Sequence, residues 1–135
     1  MVIYKILADD EWRQARADGR FAGSALDRQD GYLHLSAADQ VVETARRHFG
    51  GVTGLTLLAV DEARLGDALR WEASRGGALF PHLYGALPVD AVVAAHPLPA
   101  DRPPADAVAE LLGRGARYAA SSPARRRDAP RHDAS

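Results

Sequence analysis

The chain of 135 residues has no cysteine, one methionine and one lysine. Without cysteine there can be no disulfide, no thiolate nucleophile and no thiolate metal ligand. The lysine is Lys5, so 16 of the 17 basic residues are arginine. Together with abundant Ala, Gly and Asp this matches the codon bias of a GC-rich genome, and arginine content by itself carries no functional message. No apolar run approaches the roughly 18 residues of a membrane span. The N-terminal MVIYKILADD lacks the basic start and long apolar stretch of a secretory signal. A cytoplasmic protein that does not enter the membrane is expected. Net charge is -1, so the whole molecule is not a polycation built for nucleic acid. Neither a Walker loop, a G-x-G-x-x-G run, a G-x-S-x-G elbow nor a Cys/His metal spacing is present. The length suits one domain with a real core.

What is present is a succession of short strands and helices. Val2 to Leu7 is β-branched and aromatic enough for a strand. Lys5 shares a face with Ile3 and Leu7, and two readings stay open: an edge-strand lysine snorkelling to water, or a cation aimed at an anionic ligand. Asp9 or Asp10 can cap a helix to about residue 18, with Gly19 as its stop. Arg20 to Gln29 shows no periodicity and is expected as a loop. Tyr32 to Leu35 is expected as a strand, with Leu33 and Leu35 inward and Tyr32 and His34 outward. Ser36 with Asp39 resembles a capping box, opening a helix to Phe49 whose buried stripe is Ala38, Val41, Val42, Ala45 and Phe49. His48, in its last turn, is expected at the surface. Leu55 to Val60 is a buried central strand, and Leu69 to Ala73 alternates as another. Leu79 to Gly85 is extended, and Pro81 marks it as an edge or a bulge. Ala91 to Ala95 is a last strand, with helix as the alternative. Residues 99–113 form a Pro-rich extension with a short helix from Pro104. The tail at 114–135 is expected to be disordered. It holds six arginines against two aspartates, a net of +4 that leaves -5 on the preceding residues. Such a tail is either a solvated terminus or a contact for nucleic acid or a protein partner.

Two stretches nearly fifty positions apart share one grammar. Asp30 to Ser36 (DGYLHLS) and Leu79 to Gly85 (LFPHLYG) each set a histidine among apolar and tyrosine residues. They are expected to meet and line one pocket containing Lys5, Tyr32, His34, Ser36, Glu72, Arg75, His82 and Tyr84. Two imidazoles, a guanidinium, aromatic faces and a carboxylate suit a phosphorylated nucleotide. Each histidine could equally be a structural one, hydrogen-bonded to backbone.

The series Tyr4-Lys5-Ile6, Trp12, Gly19, Phe21 to Ser24, DGYLHLS, Gln40-Val41, Thr44-Ala45, His48 to Gly50, Val60-Asp61, LRWEASRGG at Leu69 to Gly77 and FPHLYGALP at Phe80 to Pro88 resembles the bacterial family called domain of unknown function 952, over about residues 2 to 98. That resemblance implies the fold of the ADP-ribosyltransferases, with two small antiparallel sheets splayed around an NAD-binding cleft. The branch it is most similar to is that of the RNA 2'-phosphotransferases. Their H-x-H-L pattern falls on Tyr32 to Leu35, with tyrosine in place of the first histidine and His34 as the second. Tyr4 and Lys5 would occupy the ribose-binding position of the first strand. Glu72 would stand in for the glutamate of the protein-modifying members, and Arg28 and Arg75 are the counterparts of the phosphate-binding arginines.

The expectation is therefore an α+β single domain over 1–98, with split antiparallel β-sheets and two main helices, ADP-ribosyltransferase-like. Its cofactor would be NAD and its partners a small nucleotide and a nucleic-acid or protein acceptor. His34, Glu72 and His82 would carry catalysis. Tyr4, Lys5, Tyr32, Ser36, Trp71, Arg75 and Tyr84 would bind the nucleotide, Trp71 or Tyr84 by packing on its ring and Arg75 with Lys5 on its pyrophosphate. Two alternatives stand beside this: a non-catalytic nucleotide-sensing or partner-binding module, and a hydrolase or transferase on another small phosphate with His34 and His82 as an acid/base pair.

Overall fold

The computed structural model describes residues 1–120, with the side chains of Arg75 and of residues 114–120 outside the description. The elements in chain order are β1 (Val2–Ala8), α1 (Asp9–Asp18), β2 (Arg20–Phe21), α2 (Ala25–Asp30), β3 (Leu33–His34), α3 (Val41–Phe49), β4 (Leu55–Asp61), β5 (Leu69–Ala73), β6 (Leu79–Leu83), β7 (Leu87–Pro88), β8 (Val92–Pro97) and α4 (Pro104–Ala120). They form an α+β unit with two three-stranded antiparallel sheets, ordered β1-β4-β8 and β3-β6-β5, and a small β2-β7 pair. One isolated bridge, Tyr4 to Ser36, joins the two larger sheets, each residue's N–H donating to the other's carbonyl.

The continuous apolar run of β4 is explained by burial on both sides. Leu58 and Val60 join Ile3, Leu7, Leu33, Leu35, Leu83 and Leu87 in one core. Leu55 and Leu57 face the other way, with Ile6, against Val41 and Ala45 of α3 and Ala105 and Val108 of α4. The sheet is nonetheless antiparallel, with its two faces covered by these two cores. Trp12 of α1 packs at the edge of the first core. Gly19 ends that helix with φ +85°, a left-handed stop. The first residue of α1 is Asp9, one earlier than expected. Its carboxylate is taken by the Thr56 hydroxyl at 2.5 Å, while Glu11 reaches back to the Ala8 N–H.

Four expectations are corrected. Residues 20–29 are not a loop: they hold β2 and α2. Ser24 caps α2, and Asp27 returns the bond to the Ser24 N–H at 3.0 Å. A six-residue helix is too short to show periodicity, which is why only its cap marks it in the sequence. The helix after DGYLHLS starts at Val41, not Ala37, because Gln40 takes up the Ala37 N–H through its Oε1 and ties itself to the Leu79 carbonyl. Ser36 is therefore a bridge residue rather than a cap. Third, β6 is the middle strand of its sheet despite Pro81. The Pro81 carbonyl accepts the Leu35 N–H, and the ladder with β3 stops there. Pro81 has no N–H to return to Leu35, and the next residue, Ser36, pairs with β1 instead. Finally, the Pro-rich stretch leads into a helix that runs to Ala120 and buries Ala105, Ala107 and Val108 against α3. The rest of the basic tail, residues 121–135, lies outside the described residues.

Because Leu57 sits in the core between β4 and the helices, 1 % exposed, Leu57→Ala is expected to lower unfolding free energy by about 2–5 kcal/mol. Urea titration checks this, with Leu79→Ala at a 41 % exposed position as the control, expected within about 0.5 kcal/mol of wild type.

Candidate functional site

The chain geometry that builds the site starts at α2. Gly23, at φ +120°, has no Cβ to crowd the Asp27 Cβ, which a side chain there would meet at 3.1 Å. Gly31, at φ +87°, then ends α2 and turns the chain into β3. These two turns fold His34 back over Asp27. The Asp27 carboxylate is 2 % exposed and saturated. It accepts the backbone N–H of Ser24 at 3.0 Å and of His34 at 3.0 Å. It faces the Lys5 ammonium at 3.0 Å and His34 Nδ1 at 2.6 Å. Lys5, itself 6 % exposed, also donates to the His34 carbonyl at 2.9 Å.

His34 is thus held from three sides, and its other ring nitrogen, Nε2, lies 2.8 Å from the Asp30 carboxylate. The hydrogen bond to Asp27 raises the imidazole pKa; burial opposes this, and Asp30 adds to it. Burial alone would raise the Asp27 carboxyl, but the bond from His34, the Lys5 charge and the backbone donors hold it far below the usual carboxylate range. Burial pulls the Lys5 ammonium down, with Asp27 opposing by charge and hydrogen bond.

β3 pairs with β6 so that His34 stands opposite His82. The two rings are 5.9 Å apart. The Tyr32 ring stacks on His82 at 4.1 Å and tilts against His34 at 4.8 Å. His82 is almost buried, and its Nδ1 lies 2.8 Å from Glu72 of β5. The same Glu72 oxygen accepts the Tyr84 hydroxyl at 2.7 Å. These bonds, that from His82 first, lower the Glu72 pKa.

Both imidazoles open onto one cleft of about 730 Å³. Its floor comes from β1, and its walls from α2 with β3 on one side and α3 on the other. Tyr4, Lys5, Tyr32, Ser36, His34 and His82 all line it, so most of the residues singled out in the sequence converge. Ser36 Oγ is 3.0 Å from Thr44 Oγ1.

The structure does not bring all of them in. Trp71 points to the opposite face of β5, against the first core, and its indole N–H donates to Glu62 at 2.8 Å; it cannot stack on a ligand in the cleft. Alternation along a strand puts it there, since Glu72 takes the other face. Glu72 and Tyr84 do not line the cleft either. Glu72 stands behind His82, and Tyr84 lies outside with Arg70 over its ring at 5.0 Å. Arg75 opens a short 3-10 turn, and its side chain is among those not described. Lys5 neither snorkels nor waits for an anion: its charge is matched by Asp27. Among the described residues no three His, Asp or Glu side chains converge as metal ligands would.

The cleft residues that are not among the candidates from the sequence include Asp27 and Asp30 beside His34, and Thr44, Arg47 and His48 on the α3 wall. Ser24-x-x-Asp27 was a readable cap, but nothing local says that the capping carboxylate also holds a lysine and a histidine from two other strands.

These features define a small antiparallel α+β protein whose cleft is built on carboxylate–imidazole pairs. The chain belongs to the family described as protein of unknown function (DUF952), which matches residues 6–95. It is similar to protein CC0527 from Caulobacter crescentus. The crystal structure of that protein is 50% identical and covers 81% of this chain and 99% of its own, with a TM-score of 0.75. The solution NMR structure of CC0527 is 53% identical over 76% of this chain and 90% of its own, with a TM-score of 0.67. No curated protein matches the chain. Among the described residues no helix is long and apolar enough to cross a membrane.

Two outcomes are expected. Asp27→Asn leaves the Lys5 ammonium buried without its counter-charge and should cost about 3–5 kcal/mol of stability by urea unfolding, much of it recovered when Lys5→Met is added. The raised pKa of His34 makes its stabilising contribution complete below the ordinary imidazole value of about 6.5 and lost as pH rises through the raised one. The depressed pKa of Asp27 makes its contribution present above the ordinary carboxylate value of about 3.9 and lost as pH falls through the lowered one. The stability gap between wild type and His34→Gln should then be widest between about pH 4 and 6.5 and shrink on the alkaline side. A gap that widens toward alkaline pH would show that His34 is not held as an imidazolium.

Proposed function

We propose that the cleft binds a nucleotide of the NAD or ADP-ribose type, as the resemblance to ADP-ribosyltransferase-fold proteins implies. The observation that carries this reading is the content of the cleft. About 730 Å³ lies within the roughly 300–1,000 Å³ of small-molecule and cofactor sites. Hydroxyl, imidazole and aromatic groups converge inside it, and along α3 stand His48 and the Arg47 guanidinium, whose Nε donates to Glu43 at the helix surface. In this arrangement His34 and Asp30 meet the ribose, the Tyr32 ring packs on the sugar or the base, and the α3 wall takes the pyrophosphate in place of Lys5.

If the nucleotide is turned over, the bond between ribose and nicotinamide breaks. The bonding electrons leave with neutral nicotinamide, and an oxocarbenium-like ribosyl centre remains for an acceptor. Negative charge from Asp30 beside His34 would stabilise that cation as it develops. His82 would orient the acceptor hydroxyl, with Glu72 acting through it as a positioning residue. The acceptor is a nucleic acid or a protein.

One observation favours a second reading, a sensing module that binds without turnover. Glu72, the carboxylate with the best claim to a catalytic role, does not line the cleft and is shared between His82 and Tyr84.

Calorimetric titration with NAD, run beside chromatography for free nicotinamide, decides between them. Binding is expected in the wild type and at least about tenfold weaker in His34→Ala, the loss of a charge-assisted hydrogen bond. Release of nicotinamide marks a transferase or glycohydrolase, and binding without release marks the sensor. Absence of NAD binding at millimolar concentration would overturn the nucleotide reading.

A further inference from the structure

The outer half of the His34 clasp is the part of the cleft that can rearrange without disturbing the core. Asp27 is enclosed, and its contacts tie together β1, α2 and β3. Asp30, at the end of α2, has a side chain 35% exposed. It holds His34 Nε2 by one bond of 2.8 Å and accepts no other bond among those described. An imidazole with a carboxylate oxygen on each nitrogen donates a proton on both sides, so Nε2–H faces Asp30 as a donor facing an acceptor. The nearby charges are Lys5, already bonded to Asp27 and the His34 carbonyl, and the two carboxylates themselves.

What fits between a donor and an acceptor is a group that is both. A ligand hydroxyl can accept from Nε2–H and donate to the Asp30 carboxylate. An anionic oxygen can satisfy only the first, and it would face the Asp30 charge at short range. We propose that Asp30 is a displaceable, specificity-determining residue: a sugar hydroxyl enters between it and His34, a phosphate oxygen is turned away, and Asp27 is the positioning residue that keeps Nε2 directed at the incoming hydroxyl. The inference rests on the nucleotide reading only in taking that hydroxyl to be one of the ribose at the free end of ADP-ribose. The Tyr32 ring, 4.8 Å from His34, supplies the apolar face that the C–H side of a sugar packs on. Phosphate groups are left to Arg47 on the α3 wall.

The test uses the full chain with ADP-ribose, ADP (which lacks the terminal ribose), D-ribose and inorganic phosphate as probes. Affinity is read by calorimetry and the His34 ring by long-range ¹⁵N–¹H spectra. In Asp30→Ala, ADP-ribose binding should fall about tenfold or more, as for a lost bond to a charged group, while ADP binding changes by less than about twofold. The wild-type His34 Nε2 signal should move with D-ribose and stay still with phosphate. In Asp30→Ala, phosphate should begin to move it, a gain that simple loss of structure would not produce. ADP-ribose binding unchanged in Asp30→Ala, or a wild-type ring that answers phosphate and not ribose, overturns the proposal while leaving nucleotide binding intact. If no nucleotide binds but D-ribose moves the ring only when Asp30 is present, the hydroxyl clasp stands and the nucleotide reading falls.

Discussion

The Lys5–Asp27 ion pair is the constraint on which the site depends. Both groups are almost fully removed from water, a position in which desolvation competes with attraction and only added hydrogen bonds make the pair tolerable. Those bonds are present. Asp27 gathers two backbone N–H groups, an ammonium and an imidazole, and Lys5 adds the His34 carbonyl. The price of burying the pair is met by a network that joins the first strand to the short helix and the site strand. His34 owes its position to that network more than to its own two-residue strand.

A second constraint keeps the cleft open. If the two sheets merged fully, β1 would pair along β3 and close the gap. They meet instead at the single Tyr4–Ser36 bridge. Pro81 contributes to this by ending the β3 ladder at the residue where Ser36 turns away. The space left between β1, α2 and α3 is where the hydroxyls of Tyr4 and Thr44 and the two imidazoles come together. The two histidines are built alike but placed differently. His34 is braced by a carboxylate behind it and covered by a second one toward solvent, whereas His82 is braced by Glu72 and roofed by Tyr32.

Much of this was legible. The β-branched and aromatic content of VIYKIL, the apolar run LTLLAV and the alternation in LRWEA mark β1, β4 and β5 nearly residue for residue. Tyr32 and His34 fall opposite Leu33 and Leu35, as period two requires, and the two histidine stretches do share a cleft. The failures have common causes. α2 is shorter than two turns and carries no stripe, so its cap was the one sign of it. Pro81 suggests an edge or a bulge, but a proline also fits a middle strand at the point where one neighbouring ladder ends. Ser36 suggests a cap because a serine before a helix usually is one, but here it pairs with Tyr4, and it is Gln40 that takes up the Ala37 N–H. The chemistry of Trp71 suggests a ligand contact, but the alternation of β5 separates it from Glu72 and turns it to the first core.

Local order along the chain was enough to settle which residues form strands, which of their faces are apolar and that two histidines stand where polar side chains leave the core, because backbone sterics and hydrophobic burial act over a few neighbours. The assembly of Lys5, Asp27 and His34 lay beyond it. Those residues are 22 and 29 positions from the lysine, and attraction between buried charges depends on distance and dielectric, which exist only once the sheets and helices have packed.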